Sequence, residues 1–265
     1  MPRTEPRRSR RRGKHVSLLN LADRSLRPFF EEYDRFFTRY WRSHVGEDVE
    51  VLQWNDTSER HVRSVTQGLE ADVIALSTEE DVETIRLRRG LLGANWQGRL
   101  PRRSVPFRSR LALVVRDGNP KQIRGWSDLM REDVRVAIPD AADPDPLAPL
   151  RVAARDAGAD ASRMTDVVIR LARTVLVLTS PTWDHRRDVV VALESEAHAL
   201  TGGREGRLEV LSPAVEAWSE PRVAVLDAVV DARGTRTVAE AYAAYMYSPA
   251  GQRIAARQRF SPWAG

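Results

Sequence analysis

Glu194 and Glu196 have the most direct claim on chemistry in this chain, because two carboxylates two positions apart can divide the acid and base of a proton transfer. Their position near the start of a helix gives them a plainer task. Acidic groups there are stabilised by the first amides and the helix dipole, and this structural reading outweighs the catalytic one. The five histidines, His15, His44, His61, His185 and His198, include no pair at metal-ligand spacing. Asp184-His185 is a lone acid–histidine neighbour in a loop. The absence of cysteine removes disulfides, thiolate metal sites and cysteine nucleophiles. No Gly-x-Ser-x-Gly elbow, P-loop or Gly-x-Gly-x-x-Gly occurs. Trp183 and Trp218 stand at loop ends, where packing is a commoner role than lining a cleft. The residues therefore predict no enzyme, no metal and no cofactor.

The elements that hold these residues alternate. Val16–Leu21 reads as a buried strand. Ser25 or Asp23 caps a long helix with Phe29, Phe30, Tyr33, Phe36, Phe37, Tyr40 and Trp41 at three- and four-residue intervals, which marks a core stripe. Glu50–Gln53 is a second strand, and a helix from Thr57 or Ser58 ends near Gly68. Asp72–Leu76 is a third strand, and a helix runs from Thr78 toward Arg88. This rhythm predicts an α/β fold with a parallel sheet and helices on its faces. Arg110–Val115 begins a second sheet with Val134–Ile138 as its neighbour. Leu147–Ala157 and Ser162–Arg173 read as helices, and Val175–Leu178, Asp188–Ala192 and Leu208–Leu211 as strands. Arg222–Val225 returns to the first sheet, where two helices finish the chain. One begins at Thr237; the other is capped by Ser248, opened by Pro249 and runs through Ala256.

At 265 residues and 42% hydrophobic, the chain can bury a substantial core. No run approaches the ~18 apolar residues of a membrane span. Residues 1–14 carry a net charge of +6, so the rest sums to −1 within the total of +5. Three readings of this basic arm stand: a solvated disordered tail, the basic start of an export signal, or a weak, salt-dependent contact with nucleic acid or an anionic membrane. Val16–Ala22 is short for the apolar part of a signal, so no convincing secretion signal is present.

Two segments carry a family resemblance. Gly118-Asn119-Pro120-Lys121-Gln122-Ile123-Arg124-Gly125-Trp126-Ser127-Asp128-Leu129 and Tyr242–Ala256 match motifs of the sulfate-binding proteins, the extracytoplasmic receptors of ABC-type sulfate importers. Leu18-Leu19-Asn20, Gly68–Val73 and Asp188–Ala197 resemble further family segments in the same order. The resemblance implies a two-lobe periplasmic-binding-protein fold of type II, with two mixed, mainly parallel sheets joined by hinge strands. Lobe I would comprise residues 16–109 and 224–265, lobe II residues 110–223, and residues 1–15 a disordered tail. The hinge would lie near Phe107–Leu111 and Pro221–Ala224. A monomer delivering its ligand to a permease and ATPase, outside the cytoplasm, is the implied function. A non-transporting intracellular homologue that binds a different ligand is the alternative. The family continues past Gly265 with a segment that packs back on the body, which implies some uncovered apolar surface here.

The family is known for holding dehydrated sulfate on backbone amides at helix N-termini, with help from a serine hydroxyl and an indole N–H. Carried over by position, the first-loop donor falls on Arg24 and the second-helix serine on Ser58. The Ser-Gly-Gly element falls on Pro144-Asp145-Pro146, preceded by Asp143. Proline has no N–H, and the two aspartates add negative charge. The cleft tryptophan falls on Leu193, which has no side-chain donor. A glycine-containing loop is shortened to Thr179–Arg187. Three lost donors at about 1.5–3 kcal/mol each rival the whole of micromolar binding, about −8 kcal/mol. A degenerate anion site is therefore expected. If the changed loop takes part in binding, Asp143 and Asp145 facing Arg24 suit a zwitterion or a cation.

Overall fold

The computed structural model describes residues 15–131, 133–137, 188–201, 208–214 and 218–263. The helices expected at Leu147–Ala157 and Ser162–Arg173, the strand expected at Val175–Leu178 and the Thr179–Arg187 loop lie outside the described residues.

The first sheet has the order β2-β1-β3-β9, from β1 (His15–Asp23), β2 (Asp48–Asp56), β3 (Val73–Leu76) and β9 (Arg222–Val225). β1 runs parallel to both β2 and β3, while β9 is antiparallel to β3. Every residue of β3 is buried, as a strand covered on both faces requires. Between the strands run α1 (Arg27–Val45), α2 (Ser58–Thr66) and α3 (Glu79–Arg89). The starts of α2 and α3 are fixed by side-chain caps. Thr57 Oγ1 accepts from the Arg60 amide (3.3 Å) and Thr78 Oγ1 from the Asp81 amide (3.1 Å). Gly46 and Gly90 end α1 and α3 with φ of 77° and 62°, a left-handed conformation that favours glycine.

The aromatic stripe of α1 is core, as its spacing predicts. Phe29, Phe30, Tyr33 and Phe37 are fully buried, and Tyr33 and Phe37 pack edge-on against Tyr242 with ring centroids 5.1 and 5.0 Å away. Phe36 departs from the stripe: it lies outside, under the guanidiniums of Arg39 and Arg257.

The second sheet has the order β5-β6-β4-β7, from β4 (Ser109–Arg116), β5 (Val136–Ala137), β6 (Val189–Leu193) and β7 (Leu208–Leu211). Two expectations need correction. Among the described residues the second sheet is not mainly parallel: β4 is antiparallel to β6 and β7, and only β5–β6 is parallel. The strand expected at Val134–Ile138 is described as β5 (Val136–Ala137) and neighbours β6, not β4, because β6 takes the place beside β4. The chain leaves the first sheet on β4 and returns beside it on β8 (Trp218–Ser219), through the antiparallel pairs Ser109–Ser219 and Arg110–Trp218.

The conspicuous Gly118–Leu129 motif is a folding device. Asn119 exchanges two side-chain hydrogen bonds with the backbone of Ile123 (2.7 and 2.9 Å), and Asp128 Oδ2 accepts from the amides of Arg124 and Gly125. Ile123, Trp126 and Leu129 are thereby turned inward and buried.

After β9 the chain forms three helices rather than two: Asp227–Arg233, Arg236–Tyr245 and Pro249–Arg257. The first spans only seven residues, too few to show a helical period in sequence, and its Gly234 stop sits two residues before the next helix. Ser248 Oγ accepts from the Gly251 amide at 3.1 Å and caps the last helix. Ser248→Ala is expected to cost about 1 kcal/mol in urea unfolding. Trp263 packs back on the body: its indole donates to the Val105 carbonyl (3.0 Å) beneath Arg102 and Arg108. A groove of about 340 Å³ runs beside β9, lined by Trp96, Leu100, Val225 and Ala244 and flanked by Arg99 and Glu240.

Candidate functional site

The carboxyl ends of β1, β2 and β3 open on one edge of the first sheet, where sheets of this kind place ligands. Asp23 ends β1, Ser58 opens α2 and Ser77 follows β3. These three meet. Asp23 Oδ2 accepts from the Ser58 amide (3.0 Å) and the Ser58 hydroxyl (2.8 Å). Asp23 Oδ1 accepts from the Ser25 amide (3.0 Å) and the Ser25 hydroxyl (2.7 Å). Ser58 Oγ also lies 3.0 Å from Ser77 Oγ, whose hydroxyl donates to it, and accepts from the Ser77 amide (2.9 Å).

Ser58, which the resemblance gives to a ligand, thus turns both its amide and its hydroxyl to a carboxylate of the chain itself. The start of α2 is an anion seat in the ordinary sense, with amides lacking intrahelical partners, and Asp23 occupies it. Sequence reasoning treated Asp23 only as a possible helix cap. It caps the short Arg24–Leu26 turn and not the long helix expected, whose N-cap Leu26 makes no side-chain bond, and its second oxygen reaches 35 residues onward, which no local pattern signals.

Arg24 stands next in the chain, in that turn, partly exposed. The second sheet brings up Leu193, buried at the end of β6, whose amide donates to Glu196 Oε2 at 3.2 Å. Leu193 is therefore part of the core, and its neighbour Glu196 is the polar group at this point. Burial raises the Glu196 carboxyl to about 7; the Leu193 amide opposes the rise, Asp23 adds to it and Arg24 opposes it. Asp23 and Arg24 at the edge of the first sheet are thus near enough to Glu196 for their charges to act on it. Glu194 and Glu196 lie in the first turn of their helix, as the structural reading requires. The expected positions Asp143, Pro144, Asp145 and Pro146 lie outside the described residues.

Below Ser77 lies a second group that sequence reasoning did not single out. Ser77, Thr78 and Glu79 at the β3–α3 junction and Trp218, Ser219, Glu220 and Arg222 on the returning segment enclose a pocket of about 80 Å³. Arg222 Nη2 donates to Glu79 Oε2 at 3.4 Å. The Trp218 ring lies 3.9 Å from the Arg108 guanidinium carbon, so it packs at the crossing and walls the pocket at once. Among the described residues no cluster of three or more His, Cys, Asp or Glu is placed to hold a metal. No described helix is long and apolar enough to cross a membrane.

A family model described as "Bacterial extracellular solute-binding protein" matches residues 19–260. The sulfate-binding protein of Salmonella typhimurium is 36% identical over 265 residues, covering 94% of this chain and 80% of that protein. The thiosulfate-binding protein of Pseudomonas aeruginosa is 35% identical over 262 residues, covering 92% and 78%. Among solved structures, the sulfate-binding protein SubI of Mycobacterium tuberculosis superposes with a TM-score of 0.68 at 24% identity, covering 94% of this chain and 87% of that one. The spermidine/putrescine ABC transporter substrate-binding protein PotD of Streptococcus pneumoniae shares the fold with a TM-score of 0.55 at 13% identity, covering 92% and 81%. The chain belongs to the family of bacterial extracellular solute-binding proteins.

Proposed function

We propose that this chain is the solute-binding component of an ABC importer, working outside the cytoplasm and holding a sulfate-type oxyanion between two lobes that close by hinge motion. It acts as a monomeric binding protein, not an enzyme, and hands its ligand to a permease driven by an ATPase. The observation that carries the reading is the match, over nearly the whole chain, to relatives named for sulfate and thiosulfate. The anion site is degenerate: Arg24 and Ser58 remain, Ser58 already faces Asp23, and Leu193 supplies no side-chain donor.

The reading is tested by the thermal midpoint of the purified chain with sulfate, thiosulfate and phosphate, because binding to the folded state alone raises it. The expected dissociation constant for sulfate is millimolar. About ten millimolar sulfate then adds on the order of 1 kcal/mol, a shift of a few degrees. A one-to-one micromolar titration would show the site intact. No response to any oxyanion would remove the transport-anion reading. Asp23 favours a second reading, a non-transporting binding module for another ligand, since a fixed carboxylate in the anion seat disfavours a divalent anion beside it.

A further inference from the structure

His61, about one turn into α2 from Ser58, is fully buried and joins the two chain ends that carry the Asp23–Ser58 pair. Its Nε2 stands 3.0 Å from the Asp56 amide and 2.9 Å from the Ala22 carbonyl oxygen. Ala22 precedes Asp23 at the end of β1, and Asp56 ends β2 just before Thr57 and Ser58. A single ring nitrogen thus touches both strand ends whose side chains fill the seat.

That nitrogen cannot serve both neighbours at once. With its lone pair free, Nε2 accepts from the Asp56 N–H. With a proton, it donates to the Ala22 carbonyl and leaves the Asp56 N–H unserved. Nδ1 is buried with no hydrogen-bond partner among the described residues, so either neutral tautomer leaves one of these N–H groups without an acceptor. The two arrangements are therefore close in cost, and the ring is a two-state element. A second proton removes the choice: both nitrogens then carry hydrogen, Nε2 holds Ala22, and the Asp56 amide is released.

Burial holds the imidazolium below the ordinary 6.5, against the Ala22 carbonyl and the charges of Asp23 on β1 and Asp56 on β2. The ring is accordingly neutral near pH 7 and charges on acidification. Trp54 meets it edge-on at 5.7 Å and brings no charge. On its own helix, Arg60 is turned to Asp56 Oδ2 at 3.4 Å, and Glu59 and Arg63 pair with each other at 2.7 Å in solvent. Asp81 of α3 and Glu196 both feel the charge of Asp23, so their titration has to be told apart from that of His61.

We propose that His61 is the positioning residue of the Asp23–Ser58 seat, and that the proton on its Nε2 opens the seat. Held by the ring, the end of β2 keeps Ser58 against Asp23; released from it, Ser58 turns its amide and hydroxyl to an incoming anion. The inference rests on the oxyanion reading of this seat and adds its regulation.

Nuclear magnetic resonance of the isotope-labelled full chain, from about pH 8 to about pH 5, tests the switch without a ligand. The His61 ring is assigned through its contact with the Trp54 ring. The Asp56 and Ser58 amide signals are expected to move with the midpoint of that ring. Calorimetric titration with sulfate over the same range reads the consequence, an expected rise in affinity of about tenfold on acidification. His61→Gln is expected to remove most of the rise, because its amide offers a donor and an acceptor together and gains no proton. Glu196→Gln is expected to keep most of it. Amide signals that ignore the His61 midpoint overturn the proposal, whether or not His61→Gln folds. A rise that survives His61→Gln and is lost in Glu196→Gln also overturns it and assigns the control to Glu196. Amide signals that follow the ring, with no sulfate binding at any pH, support the His61 switch and remove the oxyanion reading instead.

Discussion

Replacing Asp72 with alanine is expected to destabilise the chain by about 3–5 kcal/mol, a fall on the order of 10 °C in thermal midpoint. Asp72 is fully buried between β1 and the helices that follow β9. Its Oδ2 accepts from the Leu19 amide (2.7 Å) and pairs with Arg233 Nη1 (2.6 Å), while Oδ1 accepts from the Thr235 hydroxyl (2.5 Å). Alanine leaves the Leu19 amide and the Thr235 hydroxyl buried without these acceptors, and a cation without its partner. Arg233→Ala should cost less, because that side chain is 31% exposed and the carboxylate keeps two donors. Urea unfolding of both variants gives the comparison. Equal losses would mean that the ion pair matters and the two neutral donors do not.

Asp34→Asn is expected to stabilise the chain at pH 8 and to leave it unchanged near pH 4. Burial lifts the Asp34 carboxyl from an ordinary 3.8 to about 7, against a hydrogen bond from the Tyr242 hydroxyl (2.5 Å) that favours the charged form. Between about pH 4 and 7 the folded chain therefore keeps a proton that the unfolded chain releases. Stability falls as pH rises through that window and is level above it. Asparagine keeps an acceptor for Tyr242 and carries no charge to desolvate. The gain at pH 8 should be on the order of 2–4 kcal/mol, read from thermal midpoints across pH. Glu196, also raised to about 7, and Asp81, also raised, act in the same direction, so the variant should flatten the pH profile without abolishing it.

Asp23 changes what the family resemblance can be taken to mean. Ser58 retains both its amide and its hydroxyl, so by residue type the seat is intact. By geometry both donors are already directed at a carboxylate. A residue that the resemblance assigns to binding is thus compatible with a lost or altered ligand, which is why titration rather than alignment decides specificity.

The sequence by itself determined the elements and the family. Helix caps at Thr57, Thr78 and Ser248, the aromatic spacing of α1 and the Asn119 turn act over a few residues, and their chemistry is written at fixed local offsets. It missed the helix Asp227–Arg233, which at seven residues is too short to show a helical period. It also misplaced the neighbour of β4, because hydrophobic runs reveal strands and not their pairing. Only the tertiary structure decided the site. Asp23 reaches Ser58 across 35 positions, Glu79 meets Arg222 across 143, and Asp72 meets Arg233 across 161. Contacts of that range depend on strand order and on which charges are desolvated together, and neither quantity is encoded in spacing along the chain.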